Sequence, residues 1–356
     1  MAKQRVAVIF GGRSGEHEVS VRSGRSVLAA LDQERWTAVP VGITRRGAWL
    51  DPMETQRLLD AGHESFGSDD GFHTNGSGSL LSTGALAALE SCAAAFPLVH
   101  GTYGEDGSLQ GLLEMLGIPY AGCGVAASAI GMDKALMKAL FREAGIRMPL
   151  YCVIRSWEYA LNQMEVLRLI EDRLAYPCFV KPANGGSSVG VTRAASREDL
   201  PDAFKAAFAY DDKAVVEAAV IGGREVECSV LGNEHPQASV VGEIVPDREF
   251  YDYDSKYSAA SSTRLDIPAD LPPDTAEEVR ELALRMYRVM GCEGYARVDF
   301  FVTADGVLAN EINTIPGFTS ISMYPKLWEA SGLDYSDLLS HILELAFERH
   351  ARRSAR

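Results

Sequence analysis

The stretch Tyr295-Ala296-Arg297-Val298-Asp299-Phe300-Phe301-Val302 and the later run from Val307 to Asn313 both alternate along the chain. A period of two marks strands, with Arg297, Asp299 and Phe301 on one face and Val307, Ala309, Glu311 and Asn313 on another. Loop length decides whether these faces coincide. A two-residue Asp305-Gly306 turn sets Phe300 opposite Glu311 and sends Asp299 and Glu311 to opposite sides of the sheet. A three-residue Ala304-Asp305-Gly306 loop, with Gly306 left-handed, sets Asp299 opposite Glu311 and Arg297 opposite Asn313; this is the expected register. Two carboxylates opposed on neighbouring strands cost roughly 0.2–1 kcal/mol unless a cation joins them. Hard oxygen ligands of this kind suit magnesium, so the acidic pair implies a metal, with Asn313 adding a neutral oxygen. Phosphoryl transfer uses one or two such ions to bridge phosphate oxygens, and Arg297 beside them could hold a phosphate or an oxyanion. A solvated surface hairpin is the plainer alternative.

A second candidate lies upstream. Residues 178–182 and 188–193 pattern as paired strands around Asn184-Gly185-Gly186-Ser187-Ser188-Val189-Gly190. Glycines let backbone N–H groups approach an oxygen-rich anion, serine hydroxyls add donors, and Lys181 supplies a point charge, a combination suited to a triphosphate. Read alone, the stretch fits a flexible surface hairpin equally well. Gly186-Ser187-Ser188-Val189-Gly190 also matches the G-x-S-x-G of serine hydrolases, with Ser188 as nucleophile. That reading needs strand, tight turn and helix, whereas β-favouring Val189 and Val191 follow the loop without helical periodicity. The Walker pattern G-x-x-x-x-G-K-[ST] is absent.

These residues need positioning elements, and the rest of the chain supplies them. At 356 residues, two or three domains are expected. Residues 5–10 read as a strand, followed by Gly11-Gly12-Arg13-Ser14-Gly15, a helix through Leu31 and a strand near 37–43, the opening of a parallel α/β unit. Residues 67–79 read as a mobile surface insertion, and 93–99 as a strand ending in His100-Gly101. A helix over 133–144 has Asp133 as its cap and Gly145 as its stop, and 157–174 reads as one further helix. Another helix starts at Asp274, with Glu277 at capping-box spacing and Gly291 at its end. The six cysteines form no C-x-x-C pair, which fits reduced, buried thiols rather than disulfides or a zinc site. A net charge of -15 argues against nucleic acid and for a small-molecule partner. No apolar stretch is long enough to span a bilayer, and residues 1–5 lack the features of a secretory signal, so no membrane contact and a cytoplasmic location are expected.

Taken in order, the motif Gly11-Gly12-Arg13-Ser14-Gly15-Glu16-His17-Glu18-Val19-Ser20, His100-Gly101, Glu105-Asp106-Gly107, Lys181-Pro182, the Gly-Ser loop, residues 250–257, and Glu311-Ile312-Asn313-Thr314-Ile315-Pro316-Gly317 resemble the D-alanine:D-alanine ligases of the ATP-grasp superfamily. The resemblance spans nearly the whole chain. It implies an α/β protein of ATP-grasp architecture, α+β in its ATP-binding part. Residues 1–122 would form a Rossmann-like parallel-sheet domain that binds substrate, 123–215 a central subdomain with the phosphate loop, and 216–356 a C-terminal subdomain with the metal site. It further implies that ATP phosphorylates the carboxylate of one D-alanine, whose acyl phosphate is attacked by the amine of a second, for peptidoglycan precursor synthesis. Magnesium, as two ions with manganese able to substitute, and a homodimer are implied as well.

Residue by residue, the resemblance has Glu16 bind the ammonium of the first D-alanine, with Ser187 and Tyr257 steadying the lid and Arg297 stabilising the tetrahedral intermediate. Lys134, Lys181, Ser187, Ser188 and Lys256 would contact ATP. Glu217, Ala218, Ala219 and Val220 match the adenine-binding linker, where Ala218-Ala219 replaces larger or charged residues, and Glu225 matches the ribose ligand. Asp299, Glu311 and Asn313 would hold magnesium. His100, Gly317 and Ser322 would meet the amino-acid substrates. Plainer readings remain: Glu16 as a helix N-terminal acid, Lys134 as an exposed helix charge, His100 as a strand-end structural histidine, and 250–257 as an aromatic strand entering a surface loop. A lid there would shield an acyl phosphate from water. Tyr257 favours an amine acceptor over a hydroxy acid; D-serine or D-lactate in place of the second D-alanine keeps the same chemistry.

Overall fold

A computed structural model describes residues 3–66, 81–186, 188–245, 264–319 and 321–355. The expected insertion at 67–79, the aromatic segment 250–257 with Lys256 and Tyr257, and Ser187 lie outside the described residues. Twelve strands among those described form three sheets.

The first sheet contains β1 (Gln4–Gly11), β2 (Trp36–Ile43) and β3 (Ala94–Pro97), parallel in the order β2-β1-β3. Val6 to Phe10 are completely buried, as a parallel strand covered on both faces requires. The chain leaves β1 through Gly11, whose φ is +96°. An added Cβ there would stand 2.1 Å from the Ile43 carbonyl oxygen, so only glycine lets the strand turn into the helix His17–Ala30.

The second sheet, ordered β4-β7-β5-β6 and antiparallel, is built from β4 (Tyr151–Arg155), β5 (Cys178–Pro182), β6 (Thr192–Ala194) and β7 (Lys213–Ala218). Of the expected 188–193 strand only Thr192 and Arg193 pair with β5, and the pairing runs on to Ala194. The expected helix over 157–174 is two helices, Ser156–Leu161 and Gln163–Arg173, broken at Asn162. The Asn162 carboxamide accepts from the Glu165 N–H and caps the second, a competition with helix that short polar side chains favour. Position 215/216, the expected start of the last domain, falls inside β7; the chain changes sheets after Ala218.

The third sheet runs β10-β9-β8-β11-β12, with β8 (Arg224–Leu231), β9 (Gln237–Val245), β10 (Arg264–Asp266), β11 (Tyr295–Thr303) and β12 (Gly306–Asn313), all antiparallel. Helix Pro273–Val289 packs on it through Val279, Ala283, Met286 and Tyr287 against Val226, Cys228, Val298 and Phe300. Its expected capping box does not form: Pro272 is the cap, and Glu277 pairs with Arg280 at 2.5 Å. Gly291 follows the helix in the left-handed conformation, as expected for a stop.

One apolar core joins the first sheet to the third and to the closing helix Tyr335–Ser354. Phe96, Tyr295, Phe318 and Tyr324 cluster there with ring centroids 5.2–6.3 Å apart. Burying each such ring contributes roughly 1.5–3 kcal/mol. All six cysteines are free, and five are buried. No helix among the described residues is long and apolar enough to cross a membrane.

Candidate active site

The hairpin β11–β12 delivers the expected opposition by a different route. Asp299 pairs with Glu311 and Arg297 with Asn313, as the three-residue loop predicted. The loop itself is tighter: Thr303 pairs with Gly306, leaving only Ala304 and Asp305 between. A bulge between Asp299 and Phe300 on the pairing ladder absorbs one residue, Asn310, and restores the register. It also corrects the expected single face of β12. Val307 and Ala309 turn into the core opposite Val302 and Phe300, whereas Glu311 and Asn313 turn to the other face. Without the bulge Glu311 would share the core face with Ala309, so the cost of burying a carboxylate there selects the break.

Glu227 on β8 pairs with Asp299 from the other side, so Glu227, Asp299 and Glu311 form a row across three adjacent strands. Two cations neutralise it. The Arg297 guanidinium donates through Nε to Asp299 Oδ1 at 2.7 Å and through NH2 to Asp299 Oδ2 at 2.8 Å, and its Nε stands 2.9 Å from Glu227 Oε2. Burial works against the Arg297 charge, but the Asp299 and Glu227 carboxylates outweigh it and hold the group well above the usual arginine range. Asn313 Nδ2 donates to Asp299 Oδ2 at 2.9 Å, and Lys134 Nζ lies 3.5 Å from Glu311 Oε2. Among the described residues no three Asp, Glu, His or Cys side chains converge on a metal position. Two carboxylates and one carboxamide oxygen on neighbouring strands are a donor set that fits magnesium.

Lys134 reaches in a second direction as well. It begins the helix Lys134–Glu143, capped by Asp133, whose carboxylate accepts from the Ala135 and Leu136 N–H groups. Its Nζ donates to the Gly185 carbonyl at 2.7 Å, tying the Gly-rich loop to the acidic row. Asn184 is pinned by Asp211 through both its backbone and its side-chain nitrogen, at 2.7 and 2.8 Å. Ser188 has φ +60°, with Val189 N–H donating to Gly186 O before it and Val191 N–H donating to its own carbonyl. No helix follows Ser188, so the nucleophile elbow of a hydrolase does not form.

Behind the loop, Lys181 Nζ donates to Glu217 Oε2 at 2.6 Å, while Lys138 Nζ stands 2.7 Å from Glu217 Oε1. Burial raises the Glu217 carboxyl, but the two ammonium groups overcome it and pull the value to about 2. Burial lowers Lys138, whereas at Lys181 the Glu217 charge outweighs desolvation and holds the group up. Beyond Glu217, the N–H groups of Ala218 and Ala219 are taken by the Leu150 and Pro177 carbonyls, at 2.9 and 3.0 Å. Glu225, next along β8, is close enough to bear on Lys181.

The first sheet closes the site. Glu16 is buried, with no side-chain cap bond to the helix it precedes. Its Oε2 lies against Gly101 and Gly186, where an added Cβ would come within 3.1 and 2.6 Å. Glycine at 186 is what allows the loop to meet this carboxylate. Glu105 accepts from the Gly101 N–H at 2.6 Å, and burial with the neighbouring Glu16 charge pushes its carboxyl well above the usual range. His100 is buried and uses both ring nitrogens, Nδ1 with the Ile315 carbonyl at 3.0 Å and Nε2 with Ser23 Oγ at 3.3 Å. It thereby ties the 315–318 segment to the first sheet. Ser322 precedes the helix Met323–Ala330; its Oγ accepts from the Thr319 N–H at 3.0 Å, and a Cβ on Gly317 would meet it at 2.8 Å.

Thus Glu16, Lys134, Lys181, Arg297, Asp299 and Glu311 converge, and the Glu311 charge bears on Lys181, Arg297 and Glu105 alike. Two participants escaped the sequence reading, Lys138 and Glu227, and a third, Glu105, stood in a quoted motif without an assigned role. Each carried a local signal, Lys138 one helical turn after Lys134, Glu227 two residues after Glu225 on one strand face, and Glu105 close behind His100.

Models of the family described as "D-ala D-ala ligase N-terminus" and "D-ala D-ala ligase C-terminus" match residues 5–123 and 140–344. The chain belongs to the D-alanine–D-alanine ligase family. Its relatives include the D-alanine–D-alanine ligase of Heliobacterium modesticaldum, 48% identical with 98% of this chain and 96% of that protein covered. Another is that of Caldicellulosiruptor bescii, 46% identical with 100% and 98% covered. Among solved structures, the D-alanine-D-alanine ligase from Coxiella burnetii superposes with a TM-score of 0.80 at 34% identity, covering 100% of this chain and 97% of that one. The VanG D-Ala:D-Ser ligase from Enterococcus faecalis gives 0.80 at 33% identity, covering 97% and 99%. The family fold is mixed α/β, and its chemistry is ATP-dependent ligation.

Proposed function

We propose that this chain joins two D-alanines into D-alanyl-D-alanine through a D-alanyl phosphate, releasing ADP and phosphate and feeding peptidoglycan precursor synthesis in the cytoplasm. The observation that carries the reading is Lys134, whose ammonium touches both the Gly185 carbonyl of the anion-cradling loop and the Glu311 carboxylate of the acidic row. A nucleotide triphosphate laid along that line meets Lys181, Ser188 and the loop N–H groups on one side and the acids on the other. Asp299, Glu311 and Asn313 would hold magnesium, which supplies charge neutralisation on phosphate oxygens when bound.

Glu16, buried against Gly101 and Gly186, offers its carboxylate to the ammonium of the first D-alanine. That contact aims the substrate carboxylate toward the terminal phosphate. Arg297 is oriented by Glu227 and Asp299 to receive the oxyanion that forms when the acceptor amine attacks. Ser322, against Gly317 at a helix N-terminus, suits the acceptor carboxylate. The three sheets support division into three units, with the N-terminal parallel sheet presenting Glu16 and the other two gripping ATP. A homodimer is part of the same reading by family.

The D-Ala:D-Ser likeness keeps D-serine as a second acceptor candidate. Purified protein given ATP, magnesium and D-alanine is expected to form ADP and dipeptide, and Glu311→Ala to form neither. Phosphate release with D-serine or D-lactate exceeding that with D-alanine alone would transfer the assignment to that acceptor.

A further inference from the structure

Helix Lys134–Glu143 carries a second lysine that no step above uses. Lys138 lies one turn beyond Lys134, with its side chain 1% exposed and its Nζ 2.7 Å from Glu217 Oε1. The other Glu217 oxygen takes Lys181 at 2.6 Å. Two ammonium groups therefore share one carboxylate, and the group carries a surplus of one positive charge. That surplus is expressed at Lys181, the only one of the three with appreciable exposure, 17% against 1% and 4%. Lys138 is sealed beneath, its Nζ 5.6 Å from the Tyr151 ring centre, and is too enclosed to meet a ligand itself. Were Lys138 uncharged, Lys181 and Glu217 would form a neutral pair and Lys181 would turn no net charge toward an anion.

We propose that Lys138 is a positioning residue: by taking up one oxygen of Glu217 it leaves Lys181 with net positive charge for the nucleotide phosphates. The inference rests on the reading that Lys181 faces those phosphates. Its signature is selectivity for charge, because an interaction through Lys181 acts on phosphoryl groups and not on the adenosine portion.

The test is equilibrium binding of magnesium ADP and of adenosine to the full chain and its variants. Lys138→Met is expected to weaken ADP about tenfold and adenosine less than twofold, the scale of losing one unit charge across several ångströms of partly screened protein. The double variant Lys138→Met with Glu217→Gln strands no buried carboxylate and returns Lys181 to an unshared charge. It is expected to recover ADP affinity to within about threefold of the parent. Equal losses for ADP and adenosine in the single variant, or no recovery in the double one, overturn the proposal. Lys181→Met separates the two layers: unchanged ADP affinity there refutes the phosphate placement itself, and the inference with it.

Discussion

On the face shared by β8, β11 and β12, three carboxylates, Glu227, Asp299 and Glu311, divide two cations, Arg297 and Lys134. Between β5, β7 and the helix Lys134–Glu143 the ratio is inverted: two lysines divide one carboxylate, Glu217. The first cluster is short of positive charge and the second is short of negative charge. On the proposed function, a polyanion that arrives with divalent cations would satisfy both at once. The clusters also differ in closure. Glu217 and Lys138 are almost wholly enclosed and only Lys181 of their cluster opens outward, at 17%, whereas Glu311 and Lys134 both keep part of their side-chain surface open, 27% and 14%. A buried ion pair holds geometry at a desolvation cost, while a half-exposed one exchanges cheaply.

The largest effect that would sharpen this contrast comes from the open cluster. Glu311→Gln is expected to lower ADP release with D-alanine by at least about a thousandfold, since a metal-holding carboxylate supplies several kcal/mol of charge stabilisation. Without divalent ions, its thermal unfolding should fall no lower than the parent's, because one of two opposed acids has gone. A marked loss of stability would show the row to be structural. Glu227→Gln should act on geometry instead. With Arg297 held by Asp299 alone, kcat is expected to drop roughly tenfold to a hundredfold while KM for ATP stays within about twofold. A change confined to KM would break the assignment of Glu227 to Arg297.

The smallest effect belongs to the closed cluster and is read in acid. Glu217 is held at about 2 when folded, against an ordinary value of 4.5. A depressed carboxyl contributes stability that is complete above pH 4.5 and is lost as pH falls through the folded value near 2. Glu217→Gln removes that titration. Its unfolding free energy, followed by denaturant titration from pH 5 downward, is expected to decline less steeply between 4.5 and 2 than the parent's. Parallel slopes would mean that Glu217 is not pinned by its two lysines.

Much of the site was legible residue by residue, and the limits of that legibility are physical. The opposition of Asp299 and Glu311 was read correctly, yet through a three-residue loop that does not exist; a two-residue turn and a bulge at Asn310 reach the same pairing. Apolar positions at Val307, Ala309 and Ile312 already break the period of two, and that break was the overlooked sign. The 157–174 helix was read as continuous because its apolar spacing carries through Asn162, where side-chain capping wins over propagation. Glu277 had capping-box spacing but no serine, threonine or aspartate at the cap, since Pro272 stands there.

Local order of residue types was enough to specify the strand–glycine–helix opening, the cap at Asp133, the Gly-rich loop and the acid-bearing hairpin. These depend on neighbours within a few positions, where periodicity and turn chemistry act. The partners of Arg297 and Glu217 were decided only in three dimensions. Glu227 meets Asp299 because β8 lies beside β11, and Lys138 meets Glu217 because a helix packs on β7's sheet, contacts between distant segments. Which charges cancel and which remain for a ligand depends on that packing, because electrostatic energy is set by distance and burial and not by position along the chain.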